Sequence, residues 1–88
     1  MPASSETVVV LSRDLHARPA GEVARLAARY PDAALELVAG ERRASARSVL
    51  AVMALGAVAG TEVRIFGTGP GASAAAGELV EILRRAEA

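Results

Sequence analysis

Thr7-Val8-Val9-Val10-Leu11-Ser12-Arg13-Asp14-Leu15-His16-Ala17-Arg18-Pro19-Ala20 changes its periodicity midway, and that change sets the architecture. The β-branched, apolar run Thr7–Leu11 reads as a strand. Ser12-Arg13-Asp14-Leu15-His16 breaks it. Pro19 then sits in the first turn of a helix, where its missing N–H costs nothing. Ala20, Val23, Ala27 and Tyr30 recur at helical spacing with Leu26 beside them, while Glu22, Arg25 and Arg29 face outward. Pro31-Asp32 closes the helix, because the residue before a proline is pushed out of the helical region.

Outward from this strand–helix unit, Leu35-Glu36-Leu37-Val38 begins as a half-buried strand. Ala39-Gly40-Glu41 makes a turn into a return strand, Arg42–Ala46, that is poor in strand formers. Ser48 caps a short helix through Leu50, Met53 and Leu55, stopped by Gly56. Thr61–Phe66 alternates apolar with polar residues and reads as a strand; Gly67-Thr68-Gly69-Pro70-Gly71 reads as a loop. Ala72–Ala86 is helical, with Ala76, Leu79, Val80 and Leu83 on one face. The order is βαββαβα, which predicts an α+β open-faced sandwich: a four-stranded antiparallel sheet covered on one face by three helices.

The 88 residues predict one domain, 1–88, because so short a chain cannot divide its apolar residues between two cores. No cysteine is present, which excludes disulfides, thiolate metal sites and cysteine nucleophiles. A single histidine excludes a histidine-rich metal cluster. Ten basic residues, all Arg, balance ten acidic ones, and a zero net charge argues against a general nucleic-acid binder. The 52% apolar fraction is swollen by 21 alanines, and no apolar run reaches the ~18–20 residues that span a bilayer. Met1-Pro2-Ala3-Ser4-Ser5-Glu6 lacks the basic and apolar regions of a signal peptide, so a soluble, cytoplasmic protein without membrane insertion is expected.

His16 falls where the first strand gives way to a helix. A helix N-terminus offers unpaired N–H groups and a partial positive charge, a ready anion site. A neutral imidazole there can attack phosphorus, and those donors would stabilise the resulting N-phosphate. Arg18 can add a charge-assisted contact, so no metal or other cofactor is needed. On the residues alone, a histidine at a helix start is usually just a polar or capping residue.

Leu15-His16-Ala17-Arg18-Pro19-Ala20 is similar to the phosphorylation-site signature of the histidine-containing phosphocarrier (HPr) family of the bacterial sugar phosphotransferase system. Arg47-Ser48-Val49-Leu50-Ala51-Val52-Met53-Ala54-Leu55-Gly56 resembles the same family's regulatory-serine and short-helix segment. The two segments occur in the family's order, and βαββαβα is its fold. The resemblance covers Thr7 to Leu83.

The resemblance implies a relay in which enzyme I, charged by phosphoenolpyruvate, passes a phosphoryl group to the carrier, which hands it to sugar-specific enzyme II A domains. His16 matches the phospho-acceptor and Arg18 the residue that stabilises the phosphoryl group. Ser48 matches a serine phosphorylated in some bacteria by an HPr kinase, whose product docks a transcriptional regulator. Leu50 and Met53 match an apolar docking patch, although their spacing also suits core packing; Arg25 and Arg29 are candidates for a basic docking rim or a solvated face. A monomer is implied, acting as a carrier and not as a stand-alone turnover enzyme. Alternatives of the same fold are a paralogue serving a nitrogen-regulatory or dihydroxyacetone kinase relay, and a regulatory binding protein working through Ser48. Gly67–Gly71 lacks the spacing and lysine of a phosphate loop.

Two departures stand out. The family commonly has glycine two residues before the histidine, where this chain has Asp14, and the hairpin between Val38 and Ser48 is about one residue longer. Asp14 is expected either to repel a phosphoryl group on His16 or to pair with Arg13 or Arg18 and do little.

Overall fold

The computed structural model describes residues 4–85. Its elements run β1 (Ser4–Val10), α1 (Ala17–Ala28), β2 (Ala34–Ala39), β3 (Arg42–Ser45), α2 (Val49–Ala54), β4 (Glu62–Thr68) and α3 (Ala72–Arg84). The strands form one antiparallel sheet in the order β1-β4-β2-β3. The expected α+β open-faced sandwich is what the chain builds.

Strand alternation sorts the two faces. Val9 lies opposite Val63, and Ile65 opposite Leu37; all four are buried. α3 packs across β1, β4 and β2 on this side, while α1 packs against α3 and α2. The buried face of α3 is Ala72, Ala75, Ala76, Leu79, Ile82 and Leu83; Val80, expected among them, is only half-buried. On the open face Val8 is opposite Arg64, whose guanidinium stands over the Phe66 ring at 5.8 Å from its centroid. Val38 has Arg64 and Arg43 as its strand partners on either side and is buried. Flanking arginine stems can cover such a position while their charged heads stay in water.

Several boundaries differ from the sequence reading. β1 starts at Ser4, not Thr7, because β4 runs on through Thr68 and supplies partners for the polar residues: Ser4 lies opposite Thr68 and Ser5 opposite Gly67. Gly67 and Thr68 therefore belong to a strand and not to the loop. Gly67 is buried where a Cβ would meet Leu35 Cδ2 at 3.1 Å and Ala72 Cβ at 3.2 Å, so its bareness lets β2 and α3 close together. α1 ends at Ala28, before Tyr30; the Arg29 and Tyr30 N–H groups tighten onto Leu26 and Ala27 carbonyls three residues back. Tyr30 is half-buried beyond the helix, and its hydroxyl donates to the Glu78 carboxylate. Gly56, at φ +66°, ends α2 in the left-handed conformation as expected. α3 is described as far as Arg84, and Ala86 lies outside the described residues.

Candidate functional site

The site grows from the contrast between Leu15 and its neighbours. Leu15 is buried, while Asp14 and His16 on either side are exposed. Sinking Leu15 into the core turns the imidazole out to the surface. The Leu15 N–H donates to the Ala57 carbonyl at 3.0 Å, tying this turn to the loop after α2. Below it, Leu11 donates to Thr61 at 3.0 Å and accepts from Gly60 at 2.8 Å. The Ser12 hydroxyl donates to the Arg84 carbonyl at 3.0 Å, adding a third anchor at the end of α3.

His16 is the N-cap of α1, with extended backbone (φ −99°, ψ −165°) and no side-chain cap hydrogen bond. Its carbonyl accepts the Ala20 N–H at 3.0 Å, and its own N–H closes a tight turn onto the Asp14 carbonyl at 3.1 Å. The imidazole is thus not spent on capping. The Ala17 and Arg18 N–H groups belong to the helix start, which leaves its first amides without intrahelical acceptors, and Pro19 has none to orphan. Arg18, in that first turn, is exposed and takes part in none of the ion pairs among the described residues. His16 lines a surface concavity with Ser12, Arg13, Asp14 and Ala59. No group of three or more His, Asp or Glu side chains gathers to hold a metal among the described residues.

The pairing of Asp14 with an arginine, one of the two expectations, is not what forms. It pairs with neither Arg13 nor Arg18; its Oδ1 accepts the Ala59 backbone N–H at 2.9 Å. The reason is topological: the Leu15–Ala57 bond brings the 57–60 loop alongside, and the acidic side chain finds an amide there.

Ser48 is the N-cap of α2, its Oγ accepting the Ala51 N–H at 3.1 Å. Val52 and Leu55 take the buried side of that helix, which leaves Leu50 80% and Met53 39% exposed, so neither serves as core packing. Arg25 and Arg29 stand elsewhere, along a groove between α1 and α3 that also includes Leu26, Ile82 and Arg85. Arg29 is held there by Glu78 at 3.1 Å.

Sequence reasoning did not anticipate three features of the surrounding elements. Arg47, the first residue of the second motif, donates to the Ala27, Tyr30 and Ala33 carbonyls. Arg42 reaches from β3 to the Ala54 carbonyl at the end of α2, at 3.1 Å. Nothing in the local pattern marks either contact. Val58, 52% exposed beside Ala59, carried a readable signal as the one large apolar residue between Gly56 and Gly60.

Residues 3–85 match the family model described as the PTS HPr component phosphorylation site. The chain is 39% identical over 66 residues to the phosphocarrier protein HPr of Treponema pallidum (strain Nichols), spanning 74% of each chain. The HPr crystal structure from Bacillus anthracis str. Ames superposes with a TM-score of 0.83 at 25% identity, covering 93% of this chain and 99% of that one. Crh, the catabolite repression HPr of Bacillus subtilis, gives a TM-score of 0.75 at 25% identity over 94% and 98%. A match along almost the whole chain, a relative of this identity and the shared fold agree: the chain belongs to the HPr family of phosphocarrier proteins of the phosphotransferase system.

Proposed function

We propose that His16 accepts a phosphoryl group from phospho-enzyme I and passes it to enzyme II A domains. The observation that carries the reading is the state of His16 itself: exposed at the N-cap of α1, with its ring uncommitted to the helix. A neutral ring nitrogen, Nδ1 in the family, attacks phosphorus; a new N–P bond forms as the donor's bond to phosphorus breaks. The first-turn amides and the positive end of α1 face the added charge, and Arg18 supplies an exposed guanidinium to it. Transfer to the next partner is the same displacement in reverse, with the carrier regenerated.

Leu50 and Met53 form the apolar part of the docking surface. The chain leaves α2 at Ala54 and reaches Ala57, the acceptor of the Leu15 N–H, within three residues, so this helix end abuts the His16 turn. A flexible methionine suits a surface that meets several partners in turn. Ser48 is the regulatory position, where a phosphate would add charge to that surface. Arg25 and Arg29 form a basic rim farther along α1, with Arg29 already shared with Glu78. No helix among the described residues is long and apolar enough to cross a membrane.

The test is incubation with phosphoenolpyruvate and enzyme I, followed by intact-mass measurement. The expected product gains one acid-labile phosphate that is absent from His16→Ala. An undiminished mass gain in that variant overturns the assignment.

A further inference from the structure

We propose that Asp14 is a positioning residue for His16: by accepting the Ala59 N–H, its carboxylate clamps the histidine-bearing turn onto the loop after α2 and presets the imidazole for phosphoryl uptake. The inference rests on the reading of His16 as phospho-acceptor.

Between Ser12 and the start of α1, the turn has, among the described residues, one backbone–backbone bond to the rest of the fold, Leu15 N–H to Ala57 O at 3.0 Å. The Asp14 Oδ1 bond to the Ala59 N–H, at 2.9 Å, is the second. The two bonds run in opposite directions, Leu15 with Ala57 and Asp14 with Ala59, from adjacent residues of the turn to residues two apart in the loop. Together they fix the orientation of the turn as well as its distance. The loop they grip lies between Gly56 and Gly60, both at positive φ (+66° and +88°). It is further braced by Thr61, whose Oγ1 accepts the Val58 N–H at 3.1 Å and whose own N–H donates to the Val58 carbonyl at 2.9 Å.

A glycine at position 14 would supply no acceptor and would leave more backbone freedom directly before Leu15-His16. Here a side chain supplies the restraint. The position has a cost, since Asp14 and His16 line the same concavity and a carboxylate there repels an attached phosphoryl group. Asp14→Asn separates the two effects, because its carbonyl oxygen still accepts the amide while the charge is gone.

Phosphoryl uptake from enzyme I is followed in Asp14→Ala, Asp14→Gly and Asp14→Asn, with amide hydrogen exchange of Ala59 measured on the unphosphorylated proteins. The expected result for Ala and Gly is a roughly tenfold fall in kcat at unchanged KM, the scale of one lost hydrogen bond to a charged group. Loss of Ala59 protection should accompany it. Asp14→Asn should keep that protection and take up phosphate at least as fast as the parent chain. Parent-like uptake in Asp14→Ala, Asn as slow as Ala, or Ala59 exchange that is the same in the parent and Asp14→Ala each overturns the clamp. A parent chain that takes no phosphate, or uptake retained in His16→Ala, overturns the reading of His16 and the proposal with it.

Discussion

The Arg47 guanidinium, in the turn before α2, donates to the Ala27 carbonyl in the last turn of α1 at 2.8 Å. Its other terminal nitrogen donates to Tyr30 O at 2.9 Å and Ala33 O at 2.7 Å. One side chain therefore satisfies carbonyls at the end of α1 and in the turn into β2, and it ties the turn before α2 to both.

Arg47→Ala should unfold at lower denaturant concentration with an unchanged slope, a loss of about 2 kcal/mol for partly exposed charge-assisted bonds. Arg47→Lys should recover only part of this, because a single ammonium cannot reproduce the planar fork that spans three carbonyls. Equilibrium urea titration of the three proteins checks both statements.

Ser48 offers a separation of stability from docking. Ser48→Ala removes the acceptor for the Ala51 N–H and should cost about 1 kcal/mol of stability. Ser48→Asp keeps a capping oxygen at a helix start that favours negative charge, so its melting curve should overlay the parent's. Its phosphoryl uptake should nevertheless slow when enzyme I is limiting, because the new charge adjoins the exposed Leu50. Parallel melting and uptake measurements test the pair of outcomes.

Arg18 is exposed and outside the ion pairs among the described residues, so its removal disturbs no ion pair there. Arg18→Ala should melt like the parent but accept phosphate more slowly, with about 1.5–3 kcal/mol added to the transfer barrier as the expected scale of one charged hydrogen bond. Arg18→Lys should fall between them. Quenched-flow uptake from enzyme I gives the three rates.

Tyr30 is the sole tyrosine, which makes its ionisation directly visible in absorbance. The hydrogen bond to Glu78 pushes its pKa above the ordinary 10.0, with burial and the Glu78 charge acting the same way and Arg29 opposing. A pKa raised in the folded state means that the contribution to stability is whole below about pH 10 and is lost as pH climbs through the higher folded value. Absorbance titration should therefore give a midpoint above 10 in the parent and one nearer 10 in Glu78→Gln.

Pattern alone carried the chain a long way. Alternation in Thr61–Phe66, the β-branched run from Thr7 and the helical spacing from Ala20 to Ala27 each report burial of one face, and burial is a local consequence of side-chain chemistry repeated at a fixed period. The His16-Ala17-Arg18-Pro19 stretch and the Ser48 cap were legible for the same reason, since helix starts are built from neighbouring residues. Tertiary structure decided what neighbours along the chain cannot report. Ser4 to Glu6 became strand because β4 lay alongside them, and Tyr30 left the helix face for Glu78, 48 residues away. Leu50 and Met53 stayed in the open because Val52 and Leu55 filled the space beneath α2. Asp14 found an amide 45 residues on, and Arg47 three carbonyls on the far side of the β2–β3 hairpin. Such bonds depend on two segments arriving at the same place. Sequence spacing carries no record of that distance until the core has closed.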